Sequence, residues 1–208
     1  MLKHFKLPLI ALHFLSIWIN MYKNFIKHII EVFISLFTLL LLSPFLILIG
    51  IAIYIEDGNP VLFRQKRVGK NLKPYTLFKF RSMPNSTGDI ASSEASSLKV
   101  TKIGGFIRRT NVDELPQLFN VILGDMSLVG PRPAIPSQED LIKLRNEKGV
   151  YDCKPGLTGL AQINSYDGMP ESEKVSWDSK YVSSISFLHD AVIILRTFSY
   201  LVKRPPVY

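Results

Sequence analysis

Between Val32 and Ile55 the chain reads VFISLFTLLLLSPFLILIGIAIYI, 24 residues without a charge. A helix of that length rises roughly 36 Å at about 1.5 Å per residue, enough to reach across the apolar core of a bilayer. Ser43-Pro44 stands at its midpoint. Pro44 has no N–H for the Leu40 carbonyl, and the Ser43 hydroxyl is expected to bond back to the Leu39 carbonyl, so the pattern predicts a helix broken or bent at mid-depth. Beyond it the period changes. Residues 61–83, VLFRQKRVGKNLKPYTLFKFRSM, predict two short strands around a Gly-Lys-Asn turn. Residues 84–100 are small, polar and Ser-rich and predict a loop. KIGGFIRRT predicts a turn and a short helix, residues 137–148 a charged, exposed helix, and KPGLTGLAQIN, from Lys154 to Asn164, a turn-like segment punctuated by glycine. Ser186 to Arg204 predicts an amphipathic helix with a basic end, stopped by Pro205-Pro206 and suited to a membrane interface or to the core. The fold class expected is α+β, mainly helical, with one kinked, re-entrant membrane helix and a small globular domain holding a short β-hairpin.

Charge sharpens this picture. The 208 residues are 47% hydrophobic yet carry a net charge of +8, which points to anionic partners. Lys23 and Lys27 precede the apolar run, and Arg64, Lys66, Arg67, Lys70 and Lys73 follow it. Basic residues on both flanks fit a re-entrant hairpin with both ends in the cytoplasm better than a true span. From Arg64 to Arg81 there are seven basic residues and no acid. A solvated or headgroup-facing surface explains them, as does a nucleotide-binding one, because Phe63, Tyr75, Phe78 and Phe80 are interleaved. The single cysteine, Cys153, excludes an intramolecular disulfide and a cysteine metal cluster. Residues 1–20 have a basic start and a short apolar stretch like a signal peptide, but no small-residue cleavage site follows. They are expected to form an N-terminal extension, interfacial or preceding a true start at Met21. The expected domains are this extension, a membrane-embedded segment over 21–57 and a cytoplasmic catalytic domain over 58–208.

The candidate chemistry lies in DELPQLFNVILGDMSLVGPRP, Asp113 to Pro133. Thr110-x-x-Asp113 fits a capping box, which would make the acidic pair structural. Alternatively, Asp113 at a helix N-terminus is held ionised by backbone N–H groups, ready to act as nucleophile or as ligand to a hard cation such as Mg²⁺. Neighbouring residues on a helix point about 100° apart, so Asp113 and Glu114 are expected to divide their roles. Arg108 and Arg132 offer guanidinium forks for phosphate. In GPRP the prolines fix the backbone around Arg132, which suits either a rigid turn or an anion held in one place.

FRQKRVGKNLKPYTLFKFRSM, IRRTNVDELPQLFNVILGDMSLVGPRP and KPGLTGLAQIN, in this order after a Ser-Pro-broken apolar helix, resemble the bacterial sugar transferases, the monotopic polyprenol-phosphate phosphoglycosyl transferases in their minimal catalytic form. The resemblance covers about residues 21–203. It implies transfer of sugar-1-phosphate from a UDP-sugar to undecaprenyl phosphate, with release of UMP, at the inner membrane and with the globular domain in the cytoplasm. That step starts a surface polysaccharide or a glycoprotein glycan. The resemblance also implies Asp113 as covalent nucleophile and Mg²⁺ ligand, Glu114 as a second acid, and Arg108, Arg132, Lys79 and Arg81 at phosphate or donor. Ser43 and Pro44 match the break in the membrane helix, and no nucleic acid is expected as partner. A function of another class, a non-enzymatic membrane-anchored module binding anionic lipid or nucleic acid, accounts for the basic stretch and the anchor but gives Asp113 and Arg132 nothing to do.

Overall fold

Lys27–Asp57 is a single helix, α1, preceded by a π-helical turn at Tyr22–Ile26. Its length is set by a run of mean hydropathy 2.7, and Ser43-Pro44 does not end it. The Ser43 hydroxyl donates to the Leu40 carbonyl at 2.8 Å rather than to Leu39, and so supplies a donor to the very carbonyl that Pro44 leaves without an N–H. The computed structural model describes residues 17–84 and 100–203, apart from positions 19 and 167. Most of the N-terminal extension, the Ser-rich loop and the closing Pro205-Pro206 lie outside the described residues.

One stripe of α1 is buried. Lys27, Glu31, Ser35 and Leu39 recur at four-residue spacing, and Ile49 and Ile53 continue the face. The opposite face stays bare: Phe33, Phe37, Leu40, Leu41 and Ile55 are each about two-thirds exposed or more (65–78%). Both ends of α1 are fastened to the same globular body. At the first, Lys27 Nζ pairs with Glu31 at 3.0 Å and with Asp190 at 2.5 Å, and the Glu31 carboxylate accepts from Ser127 Oγ at 2.7 Å and from the Leu128 N–H at 3.0 Å. At the second, Arg81 Nη2 donates to the carbonyls of Asp57 and Gly58 at 2.8 and 2.9 Å and pairs with the Asp57 carboxylate at 3.0 Å.

The hairpin forms as the sequence predicts. Strands β1 (Leu62–Val68) and β2 (Pro74–Phe80) pair antiparallel from Leu62 opposite Phe80 to Val68 opposite Pro74. Asn71 and Leu72 take positive φ in the turn. Helix α2, Lys102–Arg109, begins at Thr101, whose side chain accepts from the Gly104 N–H. Glu56 of α1 accepts from the Lys102 and Ile103 N–H groups at 2.6 and 2.9 Å, so the end of one helix satisfies the start of the next. A tight turn at Val112–Glu114 leads into α3, Gln117–Leu123, which ends at Gly124 in the left-handed conformation.

Strand β3, Ser127–Val129, then pairs in parallel with β4, Gly156–Thr158. The second strand is a departure from the turn-like segment expected there. It forms because its backbone lies directly against the GPRP turn: a Cβ built on Gly156 would fall 2.0 Å from the Gly130 nitrogen, so only glycine admits the pairing. Between these strands lies α4, Glu139–Glu147, and after them α5 (Leu160–Ile163), α6 (Glu171–Ser183) and α7 (Phe187–Lys203). The charged helix expected over 137–148 forms, but it is not exposed all round: Leu141 and Arg145 are buried. The main core gathers Leu39, Tyr75, Leu77, Leu118, Val121 and Met126 with residues of β3, α6 and α7, and a second cluster joins Ile49, Ile53, Phe80 and Ile107 beneath the far end of α1. Cys153 is half-buried, and burial pushes its thiol up to about 12.

Candidate active site

The acidic pair sits in a 3₁₀ turn, not in the first turn of α3. Thr110 closes α2 instead of opening a helix, its hydroxyl bonding back to the Phe106 and Ile107 carbonyls, so the capping box does not form. Asn111 turns the chain in the left-handed region (φ 55°), and Val112–Glu114 follows with Pro116 just before α3. The turn separates the two carboxylates in environment as well as in direction.

Glu114 is fully engaged. Its Oε1 accepts from Lys79 Nζ at 2.7 Å and from Arg132 Nη2 at 2.9 Å. Burial alone would push its carboxyl up, but Arg132 and Lys79, by charge and by hydrogen bond, overturn that and hold it well below the usual carboxylate range. Asp113 is the more buried of the two, at 8% exposure, yet no hydrogen bond from a described residue contributes to its titration. Burial raises its carboxyl from the ordinary 3.8 to about 6, and the Glu114 charge adds to this, while Lys79, Arg108 and Arg132 oppose it without prevailing. Asp113 is therefore still ionised at neutral pH, as expected, but not by a helix N-terminus: the helix starts too late, and burial makes the carboxylate more basic rather than less. The outcome is a division of roles: one acid locked as an anion between two cations, the other a buried, basic carboxylate beside them.

Five of the six residues marked in the sequence come together here: Asp113, Glu114, Lys79, Arg108 and Arg132. The sixth does not. Arg81 is 6% exposed and its guanidinium is engaged at the end of α1, with the carbonyls of Asp57 and Gly58 and the Asp57 carboxylate. Other members of the basic stretch disperse as well. Arg67 is buried and donates to the Pro133 carbonyl at 3.0 Å, Lys66 bonds Thr76 at the exposed surface, and Arg64 lies over the Phe78 ring. Tyr75 and Phe80 are core residues, which removes two of the four aromatics from any stacking platform.

The structure adds a residue that the sequence did not single out. Asn120 of α3 is completely buried, and its side-chain amide donates to the Thr76 carbonyl at 2.7 Å and accepts from the Phe78 N–H at 3.1 Å. It thus pins the strand that carries Lys79 to the helix that follows Glu114. A polar residue amid the apolar QLFNVIL was the available signal. Among the described residues no group of three or more His, Cys, Asp or Glu forms a cage for a metal by itself.

Comparison with other proteins shows what the chain is similar to. The chain is 37% identical over 180 residues to a UDP-glucose:undecaprenyl-phosphate glucose-1-phosphate transferase of Klebsiella pneumoniae, covering 82% of this chain but only 39% of that protein. It is 38% identical to the exopolysaccharide production protein PSS of Rhizobium leguminosarum bv. phaseoli, over 83% of this chain and 92% of that one. It is 36% identical to the uncharacterized sugar transferase EpsL of Bacillus subtilis, over 83% and 85%. A match spanning residues 22–204 takes in the anchored helix, the acidic pair, its three cations and the rigid turn together, and by it the chain belongs to the bacterial sugar transferase family.

Proposed function

We propose that this protein transfers a sugar-1-phosphate from a UDP-sugar to undecaprenyl phosphate at the cytoplasmic face of the inner membrane, by way of a covalent bond to Asp113, and so begins assembly of a surface polysaccharide or glycan. The glucose-1-phosphate transferase activity for which the Klebsiella relative is named, and with it a Caulobacter vibrioides protein 35% identical over 72% of its own length, supports the choice of donor and acceptor. The observation that carries the mechanism is the asymmetry of the acidic pair. Glu114 is engaged by Lys79 and Arg132, whereas Asp113 is buried beside three cations and has a raised affinity for a proton.

In this reading an Asp113 carboxylate oxygen attacks the β-phosphorus of the UDP-sugar. The bond from that phosphorus to the bridging oxygen breaks, and UMP leaves with the electron pair. A phosphate oxygen of undecaprenyl phosphate then attacks the same phosphorus, the bond to Asp113 breaks, and the free carboxylate returns with a diphosphate-linked lipid sugar as product. Arg108, Arg132 and Lys79 stand where charge accumulates on the transferring phosphoryl group. Glu114 holds Lys79 and Arg132 in place so that they need not reorganise as that charge develops. Above a pH of about 6 Asp113 is ionised and more basic than an ordinary aspartate, which suits a nucleophile.

Magnesium fits this donor set. Mg²⁺ takes one or two protein carboxylates and fills its shell with substrate phosphate oxygens and water, and Asp113 is a carboxylate with that capacity in hand. When bound it supplies neutralisation of the diphosphate charge. The membrane reading has its own support: both ends of α1 are tied to one globular body while its outer face is bare and apolar, an arrangement that suits a helix entering and leaving the bilayer by the same face.

The test is Mg²⁺-dependent UMP release from a panel of UDP-sugars with undecaprenyl phosphate present, together with capture of radiolabelled sugar-phosphate on the protein. Labelling is expected in the wild type and absent in Asp113→Asn. A labelled Asp113→Asn protein would refute the assigned nucleophile.

A further inference from the structure

The GPRP turn cannot hold itself in position. Pro131 and Pro133 have no N–H, so this stretch makes no regular ladder of its own, and its carbonyls must be met from elsewhere. They are met one after another. The Pro131 carbonyl accepts from the Gly156 N–H at 2.9 Å, that of Arg132 from Arg145 Nη1 at 2.7 Å, that of Pro133 from Arg67 Nη1 at 3.0 Å, and that of Ala134 from the Val68 N–H at 3.0 Å. Two of the four donors are buried guanidinium groups, 4% and 7% exposed.

Arg145 is the more elaborate of the two. It stands on α4, and Asp178 of α6, 1% exposed, takes its Nε and Nη2 on one carboxylate oxygen at 2.9 and 2.6 Å. That pairing neutralises the guanidinium and fixes its plane, which leaves Nη1 aimed at the main chain of Arg132. An ordinary buried ion pair is weak as a source of stability, because desolvation offsets most of the attraction. Here its geometry has a visible consequence: the residue whose carbonyl it grips is the one whose side chain lies 2.9 Å from Glu114.

We propose that the Arg145–Asp178 pair is a positioning device for the transfer reaction, which latches the backbone of Arg132 from beneath so that its guanidinium is held at the phosphate site before the donor arrives. Arg67 is the second latch, one residue along. Neither arginine touches the reacting atoms; each acts through Arg132. The inference rests on Arg132 serving the sugar-phosphate site. A lysine at position 145 would keep the charge and a contact with Asp178, but one ammonium group cannot also span to the Arg132 carbonyl in the fixed plane of a fork.

The test is a double-mutant cycle on the full chain in membranes, with thermal unfolding measured alongside. Rates are followed with a radiolabelled UDP-sugar, so that residual turnover stays measurable. Arg145→Lys is expected to lower kcat by about ten- to a hundredfold, the cost of a small misplacement of a binding group, with UDP-sugar KM moved less. In an Arg132→Ala background the same change should lower kcat by no more than about twofold, because the group it positions is gone. Equal losses in both backgrounds, or a loss that tracks the fraction unfolded, would overturn the latch and leave Arg145 a structural residue. If Arg145→Lys does not fold, Arg67→Lys is put through the same cycle, where a loss confined to the Arg132 background supports the latch and equal losses overturn it. Arg132→Ala with wild-type turnover would instead sink the place of Arg132 in the site, and the latch with it.

Discussion

Two ionic clusters, each built on a lysine and two carboxylates, behave in opposite ways. At the start of α1, Lys27 stands between Glu31 and Asp190, and every partner is answered again: Asp190 by the hydroxyls of Tyr22 at 2.7 Å and Tyr181 at 2.8 Å, Glu31 by Ser127 and a strand N–H. At the acidic pair, Lys79 and Arg132 converge on Glu114, and Asp113 beside them is influenced by charge without being hydrogen-bonded by a described residue. The first cluster is closed and can only hold things together. Among the described residues the second leaves one carboxylate without a hydrogen bond, and a buried carboxylate so placed is costly to maintain unless a partner completes it. The clamp is buried throughout, whereas the cations of the second cluster are only partly buried, so the two differ in access as well as in hydrogen bonding.

Breaking each cluster should therefore give different symptoms. Asp113→Asn is expected to reduce transfer by several orders of magnitude, the scale seen when a covalent nucleophile is removed, with the fold retained. Steady-state UMP release and circular dichroism report the two. Lys27→Met should do the reverse: it strands Glu31 and Asp190 in the interior and lowers stability by about 3–5 kcal/mol, while the molecules that remain folded keep their turnover. A thermal melt paired with activity per folded molecule decides it, and a Lys27 variant with normal stability would mean that the clamp is not one. Arg132→Lys comes next, with transfer down about a hundredfold, since a point charge replaces a fork that meets both Glu114 and phosphate.

The Asp113 carboxylate predicts a smaller effect on stability with a definite sign. Its folded pKa is raised from 3.8 to about 6, so the fold prefers the protonated form. The resulting penalty is absent at pH below about 4, grows as pH rises toward 6, and is constant above that, at up to about 3 kcal/mol. In a chelating buffer Asp113→Asn should thus be more stable than the wild type at pH 8 and indistinguishable from it at pH 3.5. A variant less stable at pH 8 would show that Asp113 is satisfied after all.

The smallest effect expected concerns the middle of α1. Ser43 already answers the Leu40 carbonyl, and both ends of the helix are fastened, so Ser43→Ala with Pro44→Ala should change topology little by itself. With Lys23→Cys in a Cys153→Ala background, a membrane-impermeant thiol reagent applied to intact cells should label neither the parent nor this double variant. Labelling should appear once Lys27→Met opens the clamp. A labelled parent would mean that α1 simply crosses the bilayer.

Much of this protein was legible in one dimension. A charge-free run of 24 residues could only be a long apolar helix, alternation around a Gly-Lys-Asn turn gave the hairpin, and the adjacent acids with an arginine between prolines marked the chemistry. Those features depend on residues close together in the chain, whose spacing is read directly as a period, a turn or a cap. What the sequence left open was the environment of each charge. Seven basic residues between Arg64 and Arg81 look alike in sequence, yet Lys79 meets Glu114, Arg67 grips the Pro133 carbonyl and Arg81 ties down α1. Lys27 reads as a flanking charge for a membrane surface and is instead buried against Asp190, 163 positions away. Arg145 reads as the surface of a charged helix and is instead the support of the turn that carries Arg132. Even the affinity of Asp113 for a proton came out raised, because burial outweighs the cations beside it. Period and turn chemistry are properties of neighbours along the chain. The worth of a charge depends on what lies across from it in space, and only the folded structure decides that.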